Sequence, residues 1–158
     1  MISSRYLTKI MNKLSILDKA YAHCDIPCGI YDPNDAIQAA QTCIRMTELI
    51  LEKQNDDSLS AKNSLSRYIT VKETHAKKAK DDILIIWTDY FKDNHLEKYP
   101  DLHDLFWNAN KLAGSNKQNV SSDSAKSLVE TVDKIAKIFW ATKGVDYTDP
   151  VEKIRFGA

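Results

Sequence analysis

Glycine and proline are scarce in this sequence, four of each in 158 residues. That scarcity argues against a many-turned sheet fold and for long helices. No apolar run approaches the roughly 20 residues needed to cross a bilayer, so no membrane partner is expected. An excess of charge of either sign is also missing. The 22 basic residues balance the 22 acidic ones, leaving no overall field to draw in nucleic acid or an anionic surface. Cysteine is limited to Cys24, Cys28 and Cys43, an odd number too small for a disulfide scaffold, which points to a reducing compartment. The length suits one domain with its own core.

What charge asymmetry there is sits at the N-terminus. Residues 1–22 carry Arg5, Lys9, Lys13 and Lys19 against Asp18, or 4 − 1 = +3, so residues 23–158 carry −3. Ile10, Leu14 and Leu17 recur at helical spacing, and Ala20-Tyr21-Ala22 has the small-x-small form of a peptidase site. A secretory signal needs an uninterrupted apolar stretch of about 7–15 residues, and Lys9, Asn12, Lys13 and Ser15 interrupt this one. Residues 1–22 therefore read as a removable leader that is not an export signal, which places the protein in the cytoplasm. The alternative is an N-terminal helix that stays attached.

Four amphipathic segments follow. Asp32 suits a helix N-cap, Pro33 the first helical position, and Asp35 the first turn. Ile37, Ala40, Ile44 and Leu51 mark the inward face to about Gln54. Ser58 is a candidate cap for a second helix over about 59–92, with Leu65, Ile69, Ala76, Ala79, Ile83, Trp87 and Tyr90 on one stripe. Lys72 is the one charged residue on that stripe, and Asp81-Asp82 is a candidate break. Pro100 opens a third helix with Leu102, Leu105, Phe106, Ala109 and Leu112 inward and Gly114 as its stop. After a polar loop from Ser115 to Ser122, a fourth helix carries Ala125, Leu128, Val129, Val132, Ile135, Ala136 and Phe139, ending near Gly144. The expected fold is all-α, an antiparallel up-and-down four-helix bundle over 34–144. Residues 23–33 would form a hook ahead of it, and 145–158 an irregular tail. Cys43 reads as core, His95 and His103 as structural residues at a helix junction, and Trp87, Trp107 and Trp140 as bulk for packing.

The hook, His23-Cys24-Asp25-Ile26-Pro27-Cys28-Gly29-Ile30-Tyr31-Asp32-Pro33, fits no helical pattern. Pro27 and Gly29 flank Cys28 and favour a tight turn. By spacing alone, the bland readings are a partial structural zinc site or two ordinary thiols, although no other His or Cys pair has spacing that would complete a zinc site. If the chain is cut between Ala22 and His23, the new α-amine, the Cys24 amide nitrogen and the Cys24 thiolate lie in covalent succession. Amine and amide close one five-membered chelate ring on a metal, and amide and thiolate close a second ring fused to it. Cys28 returns through the Pro27 turn with another sulfur. Such a planar set of nitrogens and sulfurs suits Ni(II) or Cu(II) rather than tetrahedral zinc. The His23 imidazole is within reach of an axial position.

This hook resembles that of the nickel-containing superoxide dismutases. Two further blocks are similar to the same family: Trp87-Thr88-Asp89-Tyr90-Phe91-Lys92 continuing to His95-Leu96-Glu97-Lys98-Tyr99-Pro100, and Lys137-Ile138-Phe139-Trp140-Ala141-Thr142-Lys143. The resemblance spans about 23–143 and implies a superoxide dismutase cycling Ni(II) and Ni(III), with one nickel per subunit and six subunits. It also implies a leader peptidase that frees His23. His23 would supply its amine and imidazole, Cys24 its amide nitrogen and thiolate, and Cys28 the second thiolate. The peptide before Pro27 would be cis. Tyr31 would stand over the open metal face, Asp25 would help fix the hook, and Tyr90 would contribute to the same pocket. Lys92 and Lys98 are candidates for local attraction of the superoxide anion. The family's Glu–Arg pair behind the hook has no match by position: His75 stands in the Arg place, and Gln38 or Ala39 in the Glu place. Two rival readings remain at this point, a nickel or zinc carrier without redox turnover and a non-enzymatic helical bundle that assembles through its apolar faces.

Overall fold

The computed structural model describes residues 31–149, and every regular element among them is helical. Contacts divide the chain between Tyr31 and Asp32, and the helices belong to the unit that begins at Asp32. Helix α1 spans Asn34–Glu52. Its entry comes one residue later than expected, with Pro33 at the cap rather than the first helical position; Asp32 Oδ1 still accepts the Asn34 N–H at 2.8 Å, and Pro33 O accepts the Ile37 N–H at 3.0 Å. The inward face is turned slightly from the expected one. Ala36, Ile37, Ala39, Ala40, Cys43, Thr47 and Ile50 are buried, while Ile44 and Leu51 lie half-buried on its flanks.

Helix α2, Leu59–Ile85, starts on Ser58, whose Oγ accepts the Ala61 N–H at 3.1 Å. It does not break at Asp81-Asp82. Those carboxylates pair with Lys77 and Lys78 one turn back, which supports a continuous helix. The pitch changes later, at a wide turn over Ile86–Tyr90 where Phe91 N–H reaches Ile86 O at 3.4 Å. A six-residue helix that the periodicity did not reveal, α3, follows at Asp93–Lys98, its start held by His95 Nδ1 accepting the Lys92 N–H at 3.1 Å.

Helix α4, Leu102–Gln118, runs straight through Gly114, the expected stop. A Cβ at Gly114 would meet nothing within 4 Å, so the helix tolerates glycine there without needing it. The chain leaves helical geometry at Asn119, which is extended, and the polar loop shrinks to 119–121. Helix α5, Ser122–Thr142, is capped by Ser121 Oγ accepting the Ser124 N–H at 3.2 Å. It buries Ala125, Leu128, Val132, Ile135, Ala136 and Phe139, as its sequence stripe requires.

The long helices pack in a ring, α1 on α2, α2 on α4, α4 on α5 and α5 back on α1. With short connections this is an up-and-down four-helix bundle. Lys72, the anomaly on the α2 stripe, is only 2% exposed. Its ammonium donates to the carbonyls of Asn116, Lys117 (3.5 Å) and Asn119 (2.8 Å), satisfying carbonyls that the end of α4 leaves without helical partners. Burial pushes the Lys72 pKa below its ordinary value, although Cys43 and Glu73 oppose the shift. Asn116 reinforces the corner, its Nδ2 donating to Leu112 O and Ser124 O, each at 2.9 Å. Replacing Lys72 by Met keeps the aliphatic stem but strands those carbonyls. Urea unfolding is expected to show a loss of about 2 kcal/mol for K72M and more for K72A.

Candidate metal centre

The proposed ligands His23, Cys24 and Cys28, the neighbouring Asp25, the Ala22–His23 junction and the expected cis peptide at Pro27 lie outside the described residues. Tyr31 is the first described one, three positions before α1 begins. The described bundle can therefore be asked a sharper question, whether it holds a metal site of its own. Among the described residues, no group of three or more His, Cys, Asp or Glu side chains could hold a metal ion.

Each remaining histidine is occupied locally. His75 Nδ1 lies 2.9 Å from Val71 O one turn back on α2; since a carbonyl only accepts, that nitrogen carries the proton. His95 caps α3 and stacks on Tyr90, and His103 meets the Trp87 ring edge-on at 5.6 Å. Cys43 is fully buried, with Sγ 3.6 Å from Lys72 O. Burial pushes its thiol up to about 12, although the Lys72 charge opposes the shift. A thiol held neutral in this way is not a thiolate ligand. The core reading of Cys43 holds.

In an up-and-down bundle, the start of α1 shares one end with the ends of α2 and α5. At that end Tyr90 packs on Phe139 at 4.3 Å, and the Lys143 ammonium lies 5.2 Å from the Tyr90 ring centroid. Thr142 Oγ1 donates to Phe139 O at 2.6 Å, so in the 2.5 Å contact between Tyr90 and Thr142 the phenol is the donor. The Tyr90 proton is thus committed within the bundle. Gln38 is exposed and Ala39 is buried and apolar. Neither supplies a carboxylate, and His75 binds its own helix, so no Glu–Arg pair is rebuilt at these positions.

A family model described as nickel-containing superoxide dismutase matches residues 18–143. The chain belongs to the nickel-containing superoxide dismutases. It is 36% identical over 122 residues to the Superoxide dismutase [Ni] of Streptomyces coelicolor, covering 77% of this chain and 88% of that protein. The corresponding protein of Streptomyces seoulensis is 36% identical over 125 residues, 79% of this chain and 91% of that one. The native nickel superoxide dismutase crystal structure superposes with a TM-score of 0.66 at 34% identity, covering 77% of this chain and 99% of that one. A structure of the enzyme with nickel ligation corresponding to the oxidised state gives 0.67 at 34% identity, over 78% and 100%. These relatives carry the name of an oxidoreductase, and nothing among them favours the carrier or the non-enzymatic bundle.

Sequence reasoning missed the roles of Lys72 and Asn116. A lysine interrupting an otherwise apolar stripe was the available signal for the first; Asn116 gave none. Cys43 yields a test. Its folded pKa lies above the unfolded value of 9.0, so the neutral thiol contributes stability in full below about pH 9, and that contribution is lost as pH climbs to about 12. In a C24S/C28S background, Cys43 is expected to stay silent to a thiol reagent at pH 8 until denaturant is added. C43A is expected to flatten the alkaline fall in unfolding free energy.

Proposed function

We propose that His23, Cys24 and Cys28, freed by cleavage after Ala22, hold one nickel ion per chain, and that superoxide is disproportionated there to dioxygen and hydrogen peroxide. The observation that carries this reading is the contiguous hook 23–33, set directly ahead of α1 in a chain that belongs to this family. The donor chemistry fits the metal: an amine, an anionic amide and two thiolates are strong donors suited to planar nickel. When bound, nickel would supply one-electron exchange with superoxide, the chemistry this bundle's own side chains lack.

The chain's residues would do the rest. The His23 amine must be free of a peptide bond to donate, so the leader keeps the precursor silent until a peptidase acts. Asp25 would hold the hook's shape, and Tyr31, at its base, would narrow access to species the size of dioxygen. The overall reaction consumes two superoxide anions and two protons, which places a premium on keeping water-borne protons close while larger reductants stay out. The bundle would then serve as a rigid support in the same chain. No helix among the described residues is long and apolar enough to cross a membrane. We assign the enzyme to the cytoplasm and to a homohexamer.

N-terminal sequencing with metal analysis of the purified mature enzyme should return His23 as the first residue and one nickel per chain. Protein retaining Met1, and C24S/C28S protein, should both lack dismutase activity. Turnover by the uncut form would overturn the amine-ligand assignment.

A further inference from the structure

The family match ends at Lys143, and what the chain does immediately afterwards is built rather than loose. Gly144 adopts φ +74°, the left-handed conformation that favours glycine. Around it, Gly144 N–H bonds Ala141 O at 3.1 Å and Val145 N–H bonds Trp140 O at 3.0 Å. This paired pattern is the Schellman turn that closes a helix and reverses the chain. Residues 145–149 then alternate: Val145, Asp146 and Thr148 are exposed, whereas Tyr147 and Asp149 are half-buried, the period of an extended segment lying on a surface.

Both inward residues find partners on the bundle, and on two different helices. The Tyr147 ring stacks on Trp140 of α5, with centroids 6.2 Å apart and planes within 17°. Asp149 Oδ2 accepts from Nε2 of Gln41 at 3.2 Å, and Gln41 is a polar residue only 5% exposed in the second turn of α1. We propose that residues 145–149 are a strap, outside the family match, that ties the second turn of α1 to the end of α5 within one chain and so positions the base of the metal hook. The covalent path makes the consequence direct. Only residues 29–33 separate Cys28 from Asn34 in the chain, so fraying of α1's first turns would loosen the segment that carries the proposed ligands. Helix termini are otherwise where bundles open first. A strap that satisfies Gln41 and covers Trp140 opposes that opening.

The test compares the full chain with a truncation after Gly144 and with Y147A and D149A, each read by hydrogen exchange, thermal melting and native mass, all without metal. The strap predicts a melting temperature lower by about 4 °C. It also predicts exchange about 10-fold faster across 36–43, no change in the middle of α4, and an unaltered number of subunits in the native mass spectrum. The point variants should each show part of the effect, so they test the strap even if the truncation fails to fold. Unchanged exchange across 36–43 would overturn it, as would a loss of subunits, which would make the tail a contact between chains. A further arm rests on the nickel assignment above: release of nickel to a chelator should be several-fold faster from Y147A and D149A. Failure of the chain to bind nickel at all would count against that assignment and leave the exchange result standing.

Discussion

How closely α1 can be seated between α2 and α5 decides the rest of this structure, and alanine sets that distance. Ala36, Ala39 and Ala40 on α1 are at most 1% exposed, and the buried faces of its neighbours carry Ala76 and Ala79 on α2 and Ala125 and Ala136 on α5. Small side chains let helix axes approach and leave little room for slippage, because interiors pack near crystal density. The larger residues, Ile83, Leu128, Ile135 and Phe139, are all buried and fill the space left between the chains of alanines.

Polar groups brace the two ends of the bundle in different ways. At the α4–α5 corner, the buried Lys72 ammonium gathers the carbonyls that the end of α4 leaves unpaired, and the buried Asn116 amide ties α4 to Ser124 O of α5, so the turn can be short and still satisfied. At the opposite end aromatic rings fill space, with Tyr90 in contact with Phe91, Phe139 and His95 and Thr142 taking its phenolic proton. The described core holds no set of side chains that could bind a metal. The proposed assignment would keep redox chemistry and fold apart, with rigidity from the bundle and donors from a short contiguous segment.

Family membership was legible in the order of the residues, because the hook 23–33 is contiguous and its proposed donors His23, Cys24 and Cys28 need no distant partner to stand out. The α5 stripe was equally plain, because each of its core residues is apolar at a regular interval. The α4 boundary was not. Gly114 carries the usual signal for a helix end, but the cost of glycine inside a helix is only about 1 kcal/mol, and packing overrides it until Asn119. The expected break at Asp81-Asp82 failed for a related reason: ion pairs with Lys77 and Lys78 make those residues good helix surface.

Periodicity and chain order are local properties, and they were enough to give the helical class and the amphipathic faces and to single out the hook 23–33. Only the tertiary structure decided what Lys72 is for, where α4 stops, and that Tyr147 and Asp149 turn back onto Trp140 and Gln41. Each of these depends on groups separated by tens of residues meeting in space, as with Gln41 and Asp149, 108 positions apart. No local pattern encodes such a meeting; it arises only once the helices have chosen their neighbours.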